Sequence, residues 1–156
     1  MGDAIAVRDG LMDVLPGLIN THHLTAATVA ADWYDLQRHN LGVKKRFSAV
    51  VAEAPTDARG LVMARWAVGP MFGAGETAAP VVLVKVAGAL QRVIQNGARQ
   101  TITGSTASDP GRVGWLRVGN GECDWCQQYL DGEVHYAEGY DFDAHDHCQC
   151  DAVIST

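Results

Sequence analysis

Apolar positions along this chain follow two different patterns. From about residue 77 to Gly97, Leu83, Val86, Leu90 and Val93 recur at three- and four-residue spacing behind Pro80, which predicts a helix packed along a seam. A less regular version of the same period runs through Leu24, Ala27, Ala31 and Tyr34, opened by the capping candidates Asn20 or Thr21 and closed by Gly42. Ile5, Leu11, Met12, Val14 and Leu15 predict a shorter helix over residues 4 to 15 that stops at Pro16. Asp57 is placed to cap a helix through Leu61, Val62, Arg65, Ala67 and Val68, broken at Gly69-Pro70. Beyond Gly97 the helical period fades. Residues 100 to 112, with Thr103-Gly104-Ser105-Thr106 and Asp109-Pro110-Gly111, have linker composition. Val113 to Val118, Val134 to Tyr136 and Ala152 to Ile154 then predict short strands. The reading is α+β: a helical region over residues 1–104, a linker over 105–112 and a small β-rich module over 113–156.

The cysteines change what that module is. All four lie in the last 34 residues, as Cys123-Asp124-Trp125-Cys126 and, after 18 intervening residues, His145-Asp146-His147-Cys148-Gln149-Cys150. Zn²⁺ takes four nitrogen or sulfur ligands in a tetrahedron, and a CxxC turn offers two thiolates to one ion. The expected ligands are Cys123, Cys126, His145 and Cys148, with Cys150 the replacement for one of them and His147 behind the ligands or at the surface. Alternate residues of an extended segment face opposite sides, so a turn in the second arm would alter that choice. Disulfides and unlinked buried thiols are the competing states, although CxxC and CxC loops close into disulfides only with strain unless the two arms are crossed. A module this small cannot rest on apolar burial alone, so a structural zinc would answer a stability problem.

Catalysis is not expected. A catalytic zinc keeps a position open for water, whereas ligands here are in surplus, and no HExxH occurs. Glu122 and Glu133 read as solvated acids. The rival class is an HNH-like, treble-clef zinc nuclease, because Ala144-His145-Asp146-His147 echoes an Asp-His-x-His segment. That class needs further cysteines and a helix after its histidines, and six residues follow Cys150. Gly69 to Gly75 lacks the Gly-Lys-Ser/Thr of a phosphate loop and reads as a flexible connection.

Charge is divided between the two regions. Residues 119–156 hold nine acids and no Lys or Arg, whereas residues 1–118 hold nine acids and twelve bases. The module is therefore a poor ligand for DNA phosphates. Any weak DNA contact falls to Lys44, Lys45 and Arg46 in a loop, or to Lys85, Arg92 and Arg99, a seven-residue stripe read first as a solvated face. His22, His23 and His39 read as ordinary helix histidines, and Trp33 and Tyr34 as core or interface aromatics. No unbroken run approaches the ~18–20 apolar residues of a membrane span, and no basic segment precedes an apolar one at the N-terminus, so cytoplasmic synthesis is expected.

Around the cysteines, Gly114-Trp115-Leu116-Arg117-Val118, Cys123-x-x-Cys126, Tyr129-Leu130-Asp131-Gly132 and His145-x-His147-Cys148-x-Cys150 before an apolar end occur in that order. This arrangement resembles the C-terminal domain of the phage MuF-like minor head proteins over about residues 112 to 154. Trp33-Tyr34-Asp35-x-x-Arg38 is similar to an early helix of actinobacteriophage members. The resemblance implies a structural minor capsid protein of a tailed bacteriophage. It would lie in the virion, in the head interior or at the portal vertex, touch the portal or major capsid protein, and serve head assembly or DNA delivery.

Overall fold

Pro16 does not end a helix. The computed structural model describes residues 2–120, 123–136 and 142–156, and in it α1 runs unbroken over Gly2–Asn40 with Pro16 inside. A proline there costs the helix one N–H bond and normally kinks or breaks it. Packing overrides that cost. Leu15 and Ile19 are buried with Met63, Ala64, Ala89 and Val93, and α2 (Ala58–Val68) crosses Pro16 through Gly60, where a Cβ would stand 2.8 Å from the proline nitrogen. Asp57 precedes α2 but does not cap it through its side chain; its Oδ1 accepts from Asn20 Nδ2 at 2.9 Å and ties α2 to α1. The segment expected to be a flexible glycine loop is helical. Met71–Ala74 forms the short α3, and Gly75–Ala78 a 3₁₀ turn whose Gly75 takes φ 60°.

The helix predicted to end at Gly97 continues: α4 spans Ala79–Ser108, with its proline in the first turn as expected. Ala4 clusters with Val82, Ile19 with Val93, and Tyr34 with Ile102, so α1 and α4 run side by side in the same direction. At Gly97 the crossing is so close that a Cβ would lie 2.3 Å from the carbonyl oxygen of His23. Residues 101–108 have linker composition yet are helical because their hydroxyls have specific work. Thr101 Oγ1 and Ser105 Oγ accept the backbone N–H groups of Ala52 and Val50 at 3.0 and 2.9 Å, satisfying the extended segment that returns beside α4. Thr106 and Ser108 bond back to carbonyls of their own helix.

The two long helices are knotted together at their C-terminal ends. The Asp109 carboxylate, its side chain 0% exposed, accepts from Arg38 Nε at 2.5 Å, Arg38 Nη2 at 3.1 Å, the Tyr34 hydroxyl at 3.0 Å and the Gly111 amide at 2.7 Å. Burial alone would raise the Asp109 carboxyl, but those donors outweigh it and hold the group below the usual carboxylate range, while burial and the same hydrogen bond push the Tyr34 phenol up.

After that knot, β1 (Gly114–Val118) pairs antiparallel with β2 (Asp151–Ser155) in the register Gly114↔Ser155 to Val118↔Asp151. The strand expected over Val134 to Tyr136 is reduced to one bridge, His135 against Trp115. The sheet does not stand apart from the helices. Val113, Trp115 and Ala152 are buried in one cluster with Ala30, Tyr34 and Ile102. The chain is α+β, with its small two-stranded sheet against the C-terminal halves of α1 and α4.

The helical stretch Ala58–Ser108 holds an 18-residue window of mean hydropathy 1.4, 28% of it buried, and by length and composition alone is apolar enough to cross a bilayer. Lys85 and Arg92 interrupt it, so it is not an unbroken apolar run in the sequence. Its N-terminal half carries Val81, Leu83 and Val84 on the surface.

Two predictions follow from the helix contacts. Asp109→Ala strands a buried guanidinium and should cost about 3–5 kcal/mol in urea unfolding. Because the folded carboxyl titrates below its unfolded value, its stabilisation is present above the unfolded value of about 4 and lost as pH falls through the folded one. Asp109→Asn should accordingly flatten that part of the acid-unfolding curve; an unchanged curve would contradict it. Gly97→Ala should destabilise by about 1–3 kcal/mol through overpacking, whereas Gly104→Ala, with nothing within 4 Å, should gain up to about 1 kcal/mol in the same thermal melts.

Candidate metal centre

The first cysteine pair sits on a single helical turn. Cys123 is extended (φ −108°, ψ 116°) and its carbonyl accepts the Gln127 amide at 2.9 Å, opening α5 (Asp124–Gln127); three residues on, Cys126 returns to the same side. The second arm is not extended. The Cys148 amide donates to the His145 carbonyl at 3.2 Å, and His147 takes φ 61° inside that turn. This reversal sends His145 and Cys148 toward the first arm and His147 away from it.

The two arms meet side chain to side chain. His145 Nε2 lies 3.1 Å from Cys123 Sγ and 3.2 Å from Cys126 Sγ, and Cys126 Sγ is 3.7 Å from Cys148 Sγ. Two donor sets converge, Cys123–Cys126–His145 and Cys126–Cys148–Cys150, each with its ligand atoms within 4.8 Å of one another. Cys126 belongs to both. A tetrahedron with Zn–S near 2.3 Å has S···S edges of about 3.8 Å, so the Cys126–Cys148 separation is that of two ligands on one ion. All four cysteines are free, and the disulfide alternative is not the state of this structure. The Cys/His cluster can hold a metal ion.

The surroundings favour that use. His145 Nδ1–H donates to the Asp146 carbonyl at 2.6 Å, which leaves the Nε2 lone pair aimed at the thiols. Cys126, Cys148 and Cys150 are buried, and Cys123 half-buried. Burial pushes the Cys126 thiol up, whereas the Cys126 backbone N–H leads the hydrogen bonds that hold Cys123 below its ordinary value. Thiols this close and this dry ionise together only with a cation among them. Trp125, itself exposed, stands edge-on to His145 with ring centres 5.2 Å apart.

The residue that sequence reasoning misplaced is Arg99. It was expected on a solvated basic stripe, and its side chain is 1% exposed. Its Nε and Nη2 donate to the Cys150 carbonyl at 3.0 and 2.6 Å, and Nη2 also reaches the Cys148 carbonyl at 3.1 Å. Gln95 Oε1 also accepts from Nη2 at 2.9 Å, and Asn96 Oδ1 accepts from Nη1 at 3.2 Å. Burial works against its charge, while Cys148, Asp151 and Cys150 favour it. The other two members of the stripe are half-exposed and hold surface partners. Arg92 pairs with Asp146 at 2.8 Å, and Lys85 donates to the Trp66 carbonyl and lies 4.0 Å over its ring. His147, outside both donor sets, sits against Gly88, where a Cβ would be 2.4 Å from its Nε2. Arg99 therefore offers nothing to DNA. A signal for its role was present in the charge division: residues 119–156 hold all four cysteines and no Lys or Arg, so a guanidinium on their backbone has to come from outside that stretch.

Glu133 is exposed, and Glu122 lies outside the described residues. Lys44, Lys45 and Arg46 form an exposed loop in which Lys45 Nζ donates to the Pro110 carbonyl at 2.9 Å.

Comparison with curated proteins and with solved structures gives no match. A family model described as VG15 protein matches residues 1–156, taking in the parallel helices and the cysteine–histidine arms as one unit. On that match over its whole length, the chain belongs to the VG15 family, a phage-type protein family.

Proposed function

We propose that this chain is a structural minor head protein of a tailed phage, whose C-terminal arms are stapled by one zinc ion and whose helices carry the contact with the portal or inner capsid. The observation that supports the staple is the cysteine–histidine cluster itself, in which the two arms bring together Cys123–Cys126–His145 and Cys126–Cys148–Cys150, two donor sets that share Cys126; the VG15 family match supports the phage setting. Zinc suits the donors: thiolates and one imidazole with a fixed tautomer are its usual structural ligands. Cys123, Cys126 and His145 would hold it together with Cys148, and Cys150 would stand in if Cys148 turned away. Such a set fills the tetrahedron and leaves no site for an activated water, so the metal's contribution is folding energy.

The docking surface would be helical. Residues 1–118 carry three more bases than acids, while residues 119–156 carry nine acids and no Lys or Arg. Of the basic residues first considered for DNA, the exposed Lys44, Lys45 and Arg46 are the ones placed to touch phosphate or an acidic protein surface.

Purified protein should contain about one zinc per chain, and chelation should unfold the cysteine arms before the helices melt. Cys126→Ser should abolish binding, since Cys126 serves both donor sets, and Cys150→Ser should retain it. A folded protein lacking metal, or metal retained in Cys126→Ser, would contradict the staple. For the head assignment, the chain should be found in purified particles after the tails are removed and should cross-link to the portal or major capsid protein through Lys44 or Lys45. Absence from purified virions would sink it.

A further inference from the structure

Arg99 stands closer to the metal-binding arm than any role in helix packing requires. Two glycines precede it on α4 with different uses: Gly97 admits α1, and Gly88 receives His147 of the second arm. Its guanidinium, on a side chain 1% exposed, is held from behind by Gln95 and Asn96 and capped by the ring of Phe142 5.0 Å away. What it holds in front is backbone. The carbonyls of Cys148 and Cys150 both accept from it, and these are the peptide groups that fix where the two thiols of the second arm point.

We propose that Arg99 is the positioning residue of the metal centre: by clamping the Cys148 and Cys150 carbonyls it aims the second arm's thiols at Cys126 and supplies the buried positive charge that an anionic thiolate–metal centre needs. This rests on the metal reading above. Three thiolates and a neutral imidazole around a divalent ion leave a net charge of −1, and a buried unbalanced charge is costly. Arg117 is another buried guanidinium nearby, but among the described residues it meets the Asp143 carbonyl and the Phe142 and Tyr129 rings and neither cysteine carbonyl. The fork of Arg99 can hold two carbonyls in one plane; an ammonium cannot.

The test is competitive titration of the full-length chain with Co²⁺ and Zn²⁺, reading the thiolate-to-cobalt charge-transfer band beside helix content by circular dichroism. Arg99→Gln should weaken metal affinity about 10–100-fold and reduce the charge-transfer intensity. Arg99→Lys, which keeps the charge without the two-carbonyl clamp, should fall between it and wild type. Glu133→Gln, removing an exposed carboxylate of the same module outside both donor sets, should leave the band unchanged. If the Gln variant fails to fold, the Lys variant decides. Folded Arg99→Lys with wild-type affinity and spectrum would overturn the assignment, whereas wild-type protein that binds neither ion would overturn the metal reading beneath it.

Discussion

A guanidinium removed from water between a helix and two cysteine peptide groups is the contact on which the arrangement of this molecule turns. Arg99 would cost several kcal/mol to bury alone. Five acceptor contacts and an aromatic ring surround it instead, and three of those contacts come from the arm that carries Cys148 and Cys150. The cysteine arms are thereby fixed to α4 by polar contacts rather than by apolar area, which suits a segment rich in acids, glycine and cysteine. The same contact sets orientation: with Arg92 on Asp146 and His147 on Gly88, the second arm lies along α4 in a single register.

The helices supply the platform that makes such a contact possible. Two helices can run parallel only if the chain travels back between them, and α2 with the extended segment before it performs that return. α2 covers the N-terminal halves of α1 and α4, and the hydroxyls of Thr101 and Ser105 receive the extended segment along their C-terminal halves. The Arg38–Asp109–Tyr34 knot then fixes where α4 ends and where β1 begins. Trp115, one residue into the strand, closes the core between helices and sheet, so the cysteine arms inherit their position from a chain of contacts that begins in α1.

Much of this was legible in the sequence, and the failures have identifiable causes. The seam of α4, the strands around Trp115 and Val153, and the meeting of Cys123, Cys126, His145, Cys148 and Cys150 follow from period and spacing, which are local properties. Pro16 and the Thr/Ser-rich end of α4 were misread because local propensity marks both as breaks. Tertiary partners reverse that: Gly60 packs on the proline, and the backbone of residues 50–52 binds the hydroxyls. Arg99 was misread for a related reason. A seven-residue basic stripe looks the same whether it faces solvent or an acidic arm 50 residues away in sequence, and only the absence of any base after Arg117 distinguished the two.

The central claim is that a single thiolate–imidazole metal centre, docked on α4, organises the C-terminal arms. X-ray absorption at the zinc edge of the purified full-length chain tests it most directly. The account predicts four-coordinate zinc with three sulfur ligands near 2.3 Å and one nitrogen near 2.0 Å. A folded chain with no zinc, or zinc with oxygen in place of sulfur in its shell, would contradict it.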